Sequence, residues 1–270
     1  MNTDDRNRAL WYRHPNVRFE IVKALRYGPG KIKEMQIIGE GLSIRWLNVQ
    51  HVALWDKVRH YLNIEKRAAS IYASLDTYKM IPMMSFNLRK RQEEYNAWAD
   101  GRGAQIAGPD FGLDLDVKLG TYKDAIPDNQ KIRSLFDAFG VRYANWMSGE
   151  HGFHFVVPHE DMPDDVKALP YLQQIAFYKQ IASHIAKKCR SVDLSIYMPT
   201  RVLKCPYTLE KGGRVIWPLD ERSWALLRSD NLSLHPVDIL EKFLIRDRGV
   251  YLQGTPDGIN KFIKKWSGWL

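Results

Sequence analysis

Cysteine is nearly absent: Cys189 and Cys205 are the only two in 270 residues. Two cysteines exclude a disulfide framework and a four-cysteine zinc site. A mixed site adding His184 is a weaker reading than two buried, reduced thiols, because scattered Cys and His rarely assemble a metal site. Long apolar runs are missing as well. No stretch reaches the length of a bilayer-spanning helix, and the opening MNTDDRNRALWYRH is polar and charged, unlike a secretory leader. The expectation is a soluble intracellular protein without a membrane partner, cytoplasmic, or nuclear if the source is eukaryotic. Internal repeats, low-complexity tracts and long linkers are lacking too, so a repeat array is not expected.

Acidic residues are the minority charge. Forty Lys and Arg against 31 Asp and Glu give a formal charge of +9 and a pI near 9.4. Such an excess attracts polyanions, of which nucleic acid is the commonest inside cells. Hydrophobic residues at 45% and charged residues at 26% are ordinary for a globular chain. The length suffices for one large domain or two small lobes sharing a core.

Along the chain, a basic N-terminal region leads into MQIIG and LSIRWL, whose flanking of Gly39 to Gly41 predicts a hairpin. NVQHVALWDKVRHYL predicts an amphipathic helix with Val52, Trp55, Val58 and Leu62 inward. The charged run from Met84 to Asp100 predicts a solvated helix. A further helix is expected over residues 172–190, from Ile175, Tyr178, Ala182, Ile185 and Cys189 at three- and four-residue spacing. Lys187, Lys188 and Arg190 suit the negative end of its dipole. Strands interleaved with these helices argue for a mixed α/β or α+β domain. The closing NKFIKKWSGWL reads as a helix sealing the core, with docking through Trp266 and Trp269 the alternative.

Three segments carry chemistry. FGLDLDVKL alternates strictly, with Phe111, Leu113, Leu115, Val117 and Leu119 on one face and Gly112, Asp114, Asp116 and Lys118 on the other. Same-face residues of a strand are about 7 Å apart, so the two carboxylates can converge on shared divalent cations. Hard oxygen ligands suit Mg²⁺ or Mn²⁺. Taken alone, the pattern also fits an acid-decorated edge. VRYANWMSGEHGFHFVVP predicts two strands joined by a turn from Ser148 to Gly152. Backbone N–H groups of that turn, with Ser148 and His154, could cradle a phosphate; alone, an ordinary hairpin accounts for it. The third segment sets Asp193 in an apolar context, then Arg201 and Lys204 ahead of Pro206, Tyr207 and Thr208, with a turn at Gly212-Gly213. An acid followed by two cations would complete a site for metal and triphosphate, while a surface loop and hairpin is the plain alternative.

Taken in order, LDLDV, SGEHGFH and Asp193 with TRVLKCPYTLEKGG resemble the three catalytic motifs of the archaeo-eukaryotic primase superfamily, most of all the primase small catalytic subunit. Upstream, IYASLDTYKMIP is similar to that family's Ser-x-x-x-Tyr-x-x-x-Pro stretch, so the resemblance spans roughly residues 70–220. It implies an α+β primase-polymerase core with an RRM-like sheet and a second α/β lobe. Residues 1–270 would form one catalytic domain: an N-terminal lobe to about residue 105, the motifs over about 106–220, and a closing segment over 221–270. It further implies a templated nucleotidyltransferase that makes or extends primers on single-stranded DNA with Mg²⁺ or Mn²⁺. A gap-filling polymerase of end-joining repair and a catalytically degenerate nucleic-acid-binding replication subunit are the alternatives. Asp114, Asp116 and Asp193 would be the catalytic metal-binding acids. Ser148, His154 and Lys204, with Arg201 beside them, would contact the nucleoside triphosphate. A replication partner subunit or helicase is a further implied partner. Two departures stand out: Glu150-His151 replaces an often basic pair, and Glu210 stands where the family usually has His. The family's zinc module is missing, as the cysteine count requires.

Overall fold

The structure, a computed structural model of the chain, describes residues 3–25, 32–39, 41–47, 49, 52–66, 69–79, 106–199, 201–242 and 252–267. The solvated helix predicted for Met84 to Asp100, and Trp269, lie outside the described residues.

Two antiparallel sheets organise the molecule. The first comprises β1 (Ile32–Gly39), β2 (Leu42–Leu47), β3 (Ser70–Tyr78) and β4 (Ile106–Pro109) in the order β2-β1-β3-β4. A short strand, β8 (Val202–Lys204), pairs with the Tyr72–Ser74 stretch of β3. The predicted hairpin is the β1–β2 pair. Helices α1 (Thr3–Arg13), α2 (Pro15–Leu25) and α3 (Val52–Leu62) bring Trp11, Tyr12, Ile21 and Trp55 into the core that also holds Met35, Ile37 and Ile71. In α3, Trp55 and Leu62 are buried while Val52 and Val58 pack partly buried against the same core, as the periodicity predicts.

The second sheet comprises β5 (Phe111–Asp116), β6 (Tyr143–Met147), β7 (Gly152–Val157) and β9 (Leu252–Gln253) in the order β5-β7-β6-β9. Between β5 and β6 runs α4 (Tyr122–Phe139), and after β7 come α5 (Asp164–Lys167) and α6 (Tyr171–Ala186). After α6 the chain returns to β5, where Val192 bridges Leu115 antiparallel. The sequence strand, helix, strand, strand, helix with its central order thus matches the RRM-like arrangement, with one bridging residue at the fourth strand's place. Phe136 of α4 packs edge-on against Phe155 of β7 and against Phe262 of α9 (Gly258–Ser267). The closing helix therefore seals the core through Ile259, Phe262 and Ile263. Helices α7 (Glu221–Arg228) and α8 (Pro236–Lys242) complete the described elements.

Two expectations shift at their ends. The acidic strand stops at Asp116, leaving Val117 half-buried and Leu119 fully exposed. The cause is the capping box that starts α4: the Thr121 side chain accepts from Lys123 N and the Asp124 carboxylate accepts from Thr121 N, which turns the chain out of the sheet. The helix expected to reach residue 190 closes at Ala186, although Cys189 still joins the core. Both cysteines are free and buried.

Candidate active site

Leu113 and Leu115 point from β5 into the core, which leaves Asp114 and Asp116 on its other face. Gly112 shares that face because Leu75 packs directly over it; a β-carbon there would stand 2.7 Å from a Leu75 methyl. Asp114 is half-buried and Asp116 exposed. Across the ladder, Asp114 is opposite His154 and Asp116 opposite Gly152. Gly152 is required by close approach, since a β-carbon would fall 1.6 Å from the Leu115 carbonyl oxygen.

His154 is buried, with Nε2 3.2 Å from Asp114 Oδ1. Its ring meets Trp146 edge-on at 5.6 Å, and Trp146 Nε1 donates to the Lys204 carbonyl at 3.0 Å. Side chains thus run without a break from the acidic strand of one sheet to the basic strand of the other. His154 faces Asp114 and is not among the residues lining the cleft beside Lys204.

Asp193 reaches this edge through the backbone. Asp193 N donates to the Asp114 carbonyl and Asp116 N to the Ser191 carbonyl, both at 2.8 Å. Asp128 of α4 pins the segment, its Oδ2 accepting from Ser191 N at 3.0 Å and Ser191 Oγ at 2.9 Å. Burial pushes the Asp128 carboxyl up, but the Ser191 amide, Lys131 and the Ser191 hydroxyl outweigh it and hold it below the ordinary range. The Asp193 carboxylate caps the short turn Leu194–Ile196, accepting from Ser195 N and Ser195 Oγ. An open cavity of about 450 Å³ is lined here by Asp116, Asp193, Lys118 and Arg190.

The donors suit a hard divalent cation. They are all carboxylate oxygens, and among the described residues Asp114, Asp116 and Asp193 form no ion pair with Lys or Arg. Also among the described residues, no three His, Cys, Asp or Glu side chains are gathered into a metal cage. The arrangement is an open acidic edge rather than a preformed pocket.

A second cleft, of about 860 Å³, is lined by Ile38, Ser70, Tyr72, Lys204, Glu150 and Glu210. Lys204 is opposite Tyr72 in the β3–β8 pair, which puts both side chains on one face. Its Nζ donates to the Ser148 carbonyl at 2.8 Å, and Ser148 itself is buried. The turn is anchored from α4, Tyr122 N donating to the Glu150 carbonyl at 2.8 Å. Gly149 has φ 105°, a backbone state that glycine alone takes readily. Ser148 therefore meets Lys204 through its carbonyl, but neither Ser148 nor Arg201, one residue before β8, lines this cleft.

Several neighbours had no clear sequence signal. Arg8 donates to the Glu210 and Lys211 carbonyls, Trp11 Nε1 to the Tyr207 carbonyl at 2.8 Å, and Tyr12 Oη accepts from Leu209 N at 2.9 Å. Helix α1 thereby clasps residues 207–211; the adjacent Trp11-Tyr12 in an otherwise polar run was the available hint. Tyr197 donates to the Gly112 carbonyl. Its burial, then the charges of Asp114 and Asp193, push that phenol well up, keeping it a neutral donor.

No protein-family model and no curated protein matches this sequence. Among solved structures, 28 chains match. One is the polymerase domain from Mycobacterium tuberculosis Ligase D in complex with DNA, which aligns with a TM-score of 0.52 and 12% identity over 91% of this chain and 90% of that one. At that identity the likeness is one of fold.

Proposed function

We propose that this chain is a templated nucleotidyltransferase, joining nucleotides to a strand on a single-stranded DNA template. The observation that carries the reading is the run from Asp114 through His154 and Trp146 to the backbone of Lys204, which joins the acidic edge to the strand that carries Lys204. Its fold likeness to a polymerase domain solved with DNA agrees with it.

Asp114, Asp116 and Asp193 would hold Mg²⁺ or Mn²⁺, which when bound supplies Lewis acidity for the attacking hydroxyl and for the polyphosphate. Lys204 and the amides of the Ser148–Gly152 turn would orient the triphosphate and offset its charge as pyrophosphate leaves. His154 acts as a positioning residue, fixing the rotamer of Asp114 through the 3.2 Å contact. Tyr72, on the Lys204 face, is available to pack against the nucleotide, and the net positive charge to follow the strand.

Primer extension and primer initiation are separate forms of this reading. The resemblance to primases favours initiation, while the fold likeness to a polymerase domain in complex with DNA agrees with either form. Incubation with template, labelled nucleotides and Mg²⁺ or Mn²⁺ separates them. Products without any primer identify a primase; products only with a primer identify an extending or repair polymerase. Single-strand binding with no incorporation under either condition would instead support a degenerate binding subunit.

A further inference from the structure

The cradle around Lys204 already holds an anion. Glu210 Oε2 accepts from the Glu150 backbone N–H at 3.1 Å and lies 3.6 Å from Lys204 Nζ. The Glu210 side chain is 7% exposed, and its buried Oε1 has no hydrogen-bond partner among the described residues. The turn is shaped around this carboxylate, because a β-carbon on Gly149 would fall 2.1 Å from Oε2. The backbone beneath it is fixed on both sides: Glu210 N donates to the Arg214 carbonyl at 3.0 Å, and Gly213 N to the Glu210 carbonyl at 2.9 Å.

A turn amide beside an ammonium is the pairing a phosphate oxygen seeks. Here a carboxylate oxygen has both, while its buried twin finds no partner among the described residues, a costly state for a charged group. The occupant is thus held by one oxygen only, and the 860 Å³ cleft beside it gives the side chain room to leave.

We propose that Glu210 is a built-in competitor for the triphosphate: its carboxylate takes the position of a phosphate oxygen and must move out before a nucleoside triphosphate can seat on Lys204 and the Glu150 amide. This rests on the reading of the cleft as the triphosphate site. Two like charges cannot share the cradle, so Glu210 weakens nucleotide binding and selects for ligands carrying enough phosphate charge to displace it.

Calorimetric titration of the full chain tests it, with Mg²⁺–dATP and, separately, inorganic tripolyphosphate as probes. The variants are Glu210→Gln, Glu210→Asp, Lys204→Met and the Lys204→Met, Glu210→Gln double. Glu210→Gln keeps the shape and removes the charge, and should lower Kd for both probes by about ten-fold. Lys204→Met should lose binding in either background. Loss of binding in Lys204→Met with no gain in Glu210→Gln would leave the cleft as the triphosphate site and overturn the competitor role. Unchanged binding in both Lys204→Met backgrounds would overturn the site itself and the proposal with it. If Glu210→Gln fails to fold, Glu210→Asp, one methylene shorter, withdraws the carboxylate from the amide and should still tighten binding; unchanged affinity there overturns the competitor role.

Discussion

At the scale of single residues, the candidate site depends on groups that tolerate little change. Gly152 lies so close to the Leu115 carbonyl that Gly152→Ala forces β5 and β7 apart, and should cost about 3 kcal/mol or more in chemical denaturation. Trp11→Phe keeps most of the packing but strips the donor from the Tyr207 carbonyl, for an expected loss of about 1–3 kcal/mol. The first change reports on the pairing of the acidic strand β5 with β7 and the second on the clasp under residues 207–211. The acidic strand itself is readable in the sequence, while its close approach to Gly152 and the clasp are not. Strict alternation around Asp114 and Asp116 is visible because Leu113 and Leu115 must be apolar to fill the core. Nothing local announces that Trp11 will meet Tyr207, since that hydrogen bond joins residues far apart in the chain. The conflict at Glu210 was legible as an acid among cations, but its direction was not: it points into the cradle, onto the Glu150 amide.

At the scale of elements, the joint between β5 and residues 191–193 is the part most open to perturbation. Asp128 stitches it from α4, and its carboxyl is held below the ordinary range near 3.9. A depressed carboxyl means that the native state binds fewer protons than the unfolded chain in this range. Its stabilisation is complete above the unfolded value and is lost as pH falls through the folded value. Asp128→Asn should therefore lower stability at neutral pH and flatten the acid limb below about pH 4, as followed by thermal melts across pH. Elements with a clear period, such as α3, the β1–β2 hairpin and α9, were readable from spacing. Helices α1 and α2 were not: α1 is largely polar, and the buried side chains described in it, Arg8, Ala9, Trp11 and Tyr12, all lie in its second half. The end of β5 was overrun for a different reason: alternation continues to Leu119, but the Thr121 capping box ends the strand first.

At the scale of the whole molecule, the proposed function draws on an excess of nine positive charges. Binding to single-stranded DNA should weaken steeply with salt, log affinity falling linearly with log salt at a slope of about −0.7 per phosphate neutralised. Fluorescence anisotropy over a salt series measures it, and a flat response would remove the electrostatic role assigned to the net positive charge. The overall α+β arrangement was legible from interleaved periods, while the packing of one sheet on the other through Trp146 and Leu203 was not, since it depends on pairings distant in sequence. The central claim is that Asp114 and Asp116 form the edge at which nucleotides are joined. Its most direct test is primer extension with labelled nucleotides and Mg²⁺ or Mn²⁺, comparing the native chain with Asp114→Ala, alongside template binding by both. The account predicts metal-dependent extension by the native chain, none by the variant, and nearly equal template binding; undiminished extension by Asp114→Ala would contradict it.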